Sequence, residues 1–385
     1  MDKKTVDVLF ALLNFEMGFK ALPEDFVSSI KQEDLKPLYL LAKKHDLAHI
    51  VGDALDKLGV FSEQCEAEKH FINARSIAIF RTETLIAELE VLCEELSKSN
   101  IDHIPLKGSV IRNMYPETWM RTSCDIDVLV KKEDLSRAIS VLTDNLGYDC
   151  RSIGQHDAQI YSPTGVHIEL HFSLQEAETE KIAGKYLDSV WEVATPKDTH
   201  TKQMPNGFFY TYIISHMIKH VKFGGCGIRA VMDLYLLGKN FGLECSRGDL
   251  ESCGFLTFAN AAEGLAGVWF GQGEKNELLA KLEEYILTGG VYGTFDNKIS
   301  ARQSRQKTKL GYFLRRLFIP FGELKQKYQI LQKCALLYPF CLVARWFNAI
   351  FNKETKQRIS KEVQKSNEVA SCDNGIKSLL HDLKI

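Results

Sequence analysis

The stretch Ser123-Cys124-Asp125-Ile126-Asp127-Val128-Leu129-Val130 alternates polar and apolar side chains before ending in a purely apolar run. In a strand, residues two apart share a face, so Asp125 and Asp127 project together while Ile126 and Val128 turn the other way, into a core. Paired carboxylates on one strand face suit a hard divalent cation, which takes oxygen ligands and is held by one or two carboxylates plus the phosphates of a nucleotide. A lone Asp-x-Asp also fits a solvated strand face, so its meaning rests on what surrounds it.

Upstream lies Leu106-Lys107-Gly108-Ser109. If the segment Ile101 to Leu106 is a strand and a helix begins near Ser109, then Gly108 lets the backbone approach an anion. Ser109 then offers a hydroxyl and an amide at a helix start. Taken alone, Gly-Ser is equally a turn with an N-cap serine. Downstream, Lys132 to Leu146 carries Leu135, Ala138, Ile139, Leu142 and Leu146 at helical spacing. Three short strands follow, Tyr148 to Ser152, His156 to Ser162 and Val166 to Leu174, the last two joined by the turn Ser162-Pro163-Thr164-Gly165. On the third of them His167, Glu169 and His171 share one face, which brings a further acid to a site.

The sequence Gly-Ser, then Asp-x-Asp, then an acid on a later strand resembles the DNA polymerase beta-like nucleotidyltransferase superfamily. The wording is most similar to one branch, the bacterial uncharacterised nucleotidyltransferase family. The residues that carry the likeness are Leu106-Lys107-Gly108, Tyr115-Pro116, Arg121-Thr122-Ser123-Cys124-Asp125-Ile126-Asp127, Gly147-Tyr148 and Glu169-Leu170-His171. Leu41 to His45, His216 to His220 and Ile228 to Leu234 resemble that family's helical segments. The resemblance implies an α+β fold with a mixed sheet and helices, and Mg²⁺ or Mn²⁺ on Asp125, Asp127 and Glu169. It further implies an NTP held by Lys107, Gly108, Ser109, Arg121 and Ser123, with transfer of an NMP to an unidentified acceptor, a small molecule or a protein. The 16 residues between Gly108 and Asp125 make a long gap for the superfamily and an ordinary one for the branch.

Two other functions compete with this expectation. A nucleotide-binding regulatory protein would keep the cleft without turnover. A zinc-dependent hydrolase would use His167, Glu169 and His171 as ligands. The second-shell alternative has the two histidines orient neighbouring carboxylates. His216 and His220, four apart in a helical segment, lack the Glu of a zinc-protease motif and read as a packed pair. Arg229 and Asp233 read as an i,i+4 ion pair. Glu169 paired with Arg121 is the structural alternative to a site.

The 385 residues give room for two or three packing units, expected as an N-terminal helical region over 1–98, a sheet-bearing core over 99–204 and a C-terminal helical region over 205–385. In the first region the spacing predicts helices over Val6 to Met17, Pro23 to Ile30, Leu35 to Leu58 and Glu66 to Ser97. With 48 basic against 50 acidic residues, nothing overall favours nucleic acid. Ten cysteines without a C-x-x-C pair fit reduced thiols in a cytoplasm. The apolar run Val8 to Leu13 is short for an export signal. The run Cys334 to Ala344 has 11 residues, broken by Pro339, against the roughly 20 that span a bilayer. From Ala301 to Lys333, nine Lys or Arg stand against one acid, Glu323, interleaved with Phe and Leu. That pattern suits an amphipathic segment docked on the protein, with weak membrane-surface contact by 301–351 as the alternative.

Overall fold

The computed structural model describes residues 2–62, 65–175, 180–291 and 374–385, together with 293, 318, 319, 321, 324, 328 and 330–351. The basic segment of the sequence falls almost wholly outside them. Five strands form one mixed sheet: β1 (His103–Pro105), β2 (Asp125–Val130), β3 (Asp149–Ile153), β4 (Asp157–Tyr161) and β5 (His167–His171), in the order β1-β2-β5-β4-β3. Strand β2 runs parallel to β5, and every other pairing is antiparallel. The expected α+β class with a mixed sheet is what the chain adopts.

One face of the sheet is apolar. Ile126, Val128, Val130, Ala158, Ile160, Ile168 and Leu170 are buried there against Leu85, Leu92 and Leu96 of α5 (Glu66–Lys98) and Ala138 and Leu142 of α7 (Leu135–Leu146). Helix α7 stops where Gly147 takes φ +69°, a conformation that avoids the Cβ penalty other residues would meet. The 33 residues of α5 reach past the sheet, and Ala67 and Phe71 at its N-terminal end belong to a second core.

That second core is helical and faces the other side of the sheet. It joins α1 (Lys3–Glu16), α3 (Gln32–Lys44) and α4 (Ala48–Lys57) to α10 (Asn206–Lys222), α11 (Gly227–Phe241), α13 (Leu256–Phe270) and α14 (Glu277–Gly289). The N- and C-terminal helices thus pack on each other: Phe10 lies 4.7 Å from Trp269, and Asn14 donates to the Trp269 carbonyl at 3.0 Å.

The single helix expected over Leu35 to Leu58 is two, α3 and α4. Asp46 takes φ +56° between them, and buried His45 fixes the break by accepting from the Ile228 N–H at Nδ1 (3.2 Å) and facing the Leu287 carbonyl through Nε2 (3.3 Å). Helical periodicity continues across the break, so it carried no sign of the kink. Among the described residues no helix is long and apolar enough to cross a membrane; the run containing Pro339 becomes a 3₁₀ turn and the helix Tyr338–Phe351.

Candidate functional site

Register decides which side chains meet. Asp125 lies opposite His167, Asp127 opposite Glu169, and Leu129 opposite His171, so both aspartates, the glutamate and both histidines stand on the face turned to the helical body. On the neighbouring strand, Asp157 pairs with His171 and Tyr161 with His167. The donor atoms of Asp125, His167 and Glu169 lie within 4.8 Å of one another, and so do those of Asp127, Glu169 and His171. His167 and His171 therefore enter separate trios, with Glu169 in both. The set offers carboxylate oxygens for hard divalent ions, and it fits such ions on donor chemistry.

The charges inside this cluster are unequal. Asp127 is buried, and its Oδ1 takes Lys107 Nζ at 2.7 Å and His171 Nε2 at 2.8 Å. Burial alone would raise its carboxyl, but the Lys107 and His171 contacts hold it well below the usual range. Asp125 moves up instead, through burial and the charges of Asp127 and Glu169. Glu169 is lowered, first by the hydrogen bond from His171, whose Nε2 is 3.4 Å from its Oε2. Burial pulls the His171 ring down and its two carboxylate partners more than offset this, so its pKa is raised. His171 thus reaches both carboxylates from one nitrogen.

The turn at Lys107-Gly108 owes its shape to the lysine. The residue with positive φ is Lys107 (φ +43°, ψ −115°), not Gly108. A lysine held in that sparsely populated region stores strain beside the carboxylates, and the same backbone carries its ammonium to Asp127. A Cβ on Gly108 would sit 3.5 Å from Arg121 Nη1 and 3.5 Å from Ser123 Cβ, ordinary contact distances. The helix that opens at Gly108 has only four residues, Gly108–Ile111, before a 3₁₀ turn at Arg112–Met114. So short a helix has little macrodipole, and anion binding there needs side-chain cations.

Arg121, the cation expected there, is paired with Asp233. Its Nε donates to both Asp233 oxygens at 2.9 and 3.0 Å, Nη2 reaches Asp233 at 2.9 Å, and Nη1 donates to the Thr122 carbonyl at 2.7 Å. Asp233 thus anchors the guanidinium beside the turn, a partner the sequence pattern did not show. The i,i+4 pair of Arg229 with Asp233 is corrected by the same geometry. Asp233 is taken by Arg121 and by the Tyr115 hydroxyl at 2.6 Å, while Arg229 reaches Asp46 at 2.5 Å and the Thr122 carbonyl at 3.0 Å. His49 adds a bond to the Met120 carbonyl at 2.9 Å. The long gap between the glycine turn and β2 is thus a run of 3₁₀ turns pinned by helices α4 and α11. The Glu169 pairing with Arg121 does not form; the nearest partner of Glu169 is His171.

A side chain the sequence reading passed over is Arg112. It is 3% exposed, donates from Nε to the Gly108 carbonyl and from Nη2 to Ser123 Oγ (both 3.0 Å), and its buried Nη1 has no hydrogen-bond partner among the described residues. No carboxylate among the described residues pairs with it. Burial and the charge of Arg121 bring its pKa down to about 10. The Ser123 hydroxyl, in turn, donates to the Asp125 carbonyl at 3.1 Å. The available signal was spacing: Arg112 stands three residues after Ser109, one helical turn on. On the helical side, Tyr212 of α10 lies near Lys107, and His216 and His220 bond to each other at 2.9 Å as a packed pair. Cys124 is exposed at the lip, 3.9 Å from Arg81.

A family model described as "Uncharacterised nucleotidyltransferase" matches residues 31–271 of the chain. No curated protein and no solved structure matches it. The matched span begins at α3 and ends with α13, so it takes in the sheet, the acids and helices α4, α10 and α11 together.

Proposed function

We propose that this chain, which belongs to the uncharacterised nucleotidyltransferase family, transfers an NMP from an NTP to an acceptor and releases pyrophosphate. The observation that carries the reading is the convergence of Asp125, Asp127 and Glu169 on one sheet face beside the Lys107-Gly108-Ser109 turn. Asp125, Asp127 and Glu169 would hold Mg²⁺ or Mn²⁺. When bound, such ions steady the attacking and leaving oxygens of an in-line displacement at the α-phosphorus. The chain's own part is to keep the carboxylates ionised and aimed. His171 does this for Asp127 and Glu169, and Lys107 balances their charge until a polyphosphate arrives.

Gly108, Ser109 and Ser123 would line the phosphate end. Arg112 would supply the cation there in place of Arg121, because a buried guanidinium without a counter-ion has a charge to share and a donor to satisfy. Arg121 would act indirectly, fixing the Thr122–Ser123 segment through Asp233. The test is pyrophosphate release with each of ATP, CTP, GTP and UTP, in Mg²⁺ and in Mn²⁺, against small-molecule and protein acceptors. Release that depends on Asp125 supports transfer. Saturable NTP binding with no release under any pairing favours the regulatory reading, and tightly held stoichiometric zinc favours hydrolysis.

A further inference from the structure

His167 is the one member of the cluster whose role the carboxylate chemistry leaves open. It sits directly opposite Asp125 in the parallel register, and one of its ring nitrogens lies within 4.8 Å of the donor oxygens of Asp125 and Glu169. Its Nε2 is buried and has no hydrogen-bond partner among the described residues. The contrast with His171 is chemical: the Nε2 of His171 is committed to Asp127 at 2.8 Å, whereas the His167 ring is held by stacking. Tyr161 lies against it at 4.8 Å with an interplanar angle of 26°, and the Arg151 guanidinium covers the Tyr161 ring at 3.8 Å. Stacking fixes the plane of an imidazole without using either nitrogen. A buried polar atom left without a partner calls for a ligand or an ion as its explanation.

We propose that His167 is an inner-shell ligand of the cation held by Asp125 and Glu169, and that its nitrogen makes the site prefer a first-row transition ion such as Mn²⁺ over Mg²⁺. This rests on the transfer reading above and adds the identity of the cation to it. Mg²⁺ binds oxygen donors and gains little from imidazole, whereas Mn²⁺ and the ions after it accept nitrogen. His171 stays outside the inner shell, orienting the two carboxylates it already touches. The Tyr161 and Arg151 stack becomes the device that presents the His167 nitrogen.

The test uses the full chain with Mn²⁺ alone, read by pulsed electron paramagnetic resonance and by equilibrium titration. The expected spectrum shows coupling to a single histidine nitrogen, which changes to the ¹⁵N pattern when the protein is made with ¹⁵N-histidine. In His167→Gln the coupling disappears, Mn²⁺ affinity falls by about tenfold or more, and Mg²⁺ affinity changes by less than about threefold. Circular dichroism checks the fold of that variant, and His167→Asn replaces it if the fold is lost. Mn²⁺ bound in an Asp125-dependent way with no nitrogen coupling in the wild type overturns the His167 assignment and leaves the transfer reading standing. Coupling that persists in His167→Gln also overturns it. Loss of all Asp125-dependent binding of either ion removes both.

Discussion

The two faces of the sheet are made from the same strands and obey different rules. Toward α5 and α7, alternate residues such as Ile126, Val128, Ile168 and Leu170 are fully buried and hold the layers by apolar area alone. Toward the helical body, the intervening residues are acids and histidines, and the surrounding segments are fixed by named polar pins: Arg121 on Asp233, Arg229 on Asp46, His45 on Ile228. An apolar face tolerates exchange of one aliphatic residue for another. The polar face is specified atom by atom, because each buried charge left without its partner is expensive.

The largest effect expected is on the polar face. Asp125→Asn should lower turnover by about a thousandfold or more, equivalent to roughly 4 kcal/mol of barrier, while the unfolding midpoint barely moves, because burial and the charges of Asp127 and Glu169 already disfavour the ionised Asp125 carboxyl. Progress curves with pyrophosphate detection read the first quantity and a denaturant titration the second; turnover within a few-fold of wild type would break the comparison. The apolar face should give the reverse. Leu170→Ala, one residue from Glu169 and on the opposite side, should cost about 2–5 kcal/mol of stability, with kcat little changed in the fraction that stays folded. A loss of kcat without loss of stability would mean that the faces are not separable.

The pins add a pH dependence that the apolar face lacks. Burial, partly offset by the bond to the Leu287 carbonyl, lowers the His45 pKa from 6.5 to about 4, and its Nδ1 must stay unprotonated to accept from Ile228. The folded state therefore binds fewer protons than the unfolded one between those values. Its contribution is complete above about pH 6.5 and is lost as pH falls toward about 4, a change of about 3 kcal/mol. Unfolding free energies of wild type and His45→Gln should converge over that window, and parallel curves would contradict the assignment. A smaller effect is expected at Arg112. Arg112→Lys keeps the charge and loses the fork, so KM for the NTP should rise by about tenfold while kcat holds; an unchanged KM would return the phosphate role to another cation.

How much of this was legible depended on the same division. Period-two alternation around Asp125 and Asp127 located β2 and both of its faces, since apolar burial leaves a pattern in the chain. The shared face of His167, Glu169 and His171 was equally readable. The pins were not. Asp233 lies 112 residues from Arg121 in the chain, and Asp46 lies 183 from Arg229; spacing rules see only neighbours, which is why Arg229 was read against Asp233. The family motifs containing Tyr115 and Arg121 gain a physical reason only when both are seen to converge on Asp233. Arg112 was passed over because isolation from carboxylates is a property of the fold, invisible in a list of charges. The break at Asp46 escaped because apolar spacing continues through it.

The site's proposed office is to hold divalent ions on three carboxylates from two strands, beside a polyphosphate at the Lys107-Gly108-Ser109 turn. It is tested most directly by the anomalous scattering of crystals grown with Mn²⁺ and a non-hydrolysable NTP analogue. The expected map has Mn²⁺ density in ligand contact with these acids, Glu169 being common to both donor trios, and the phosphates against Lys107, Gly108, Ser109 and Arg112. A nucleotide seated elsewhere, or Mn²⁺ bound away from all three acids, would contradict it.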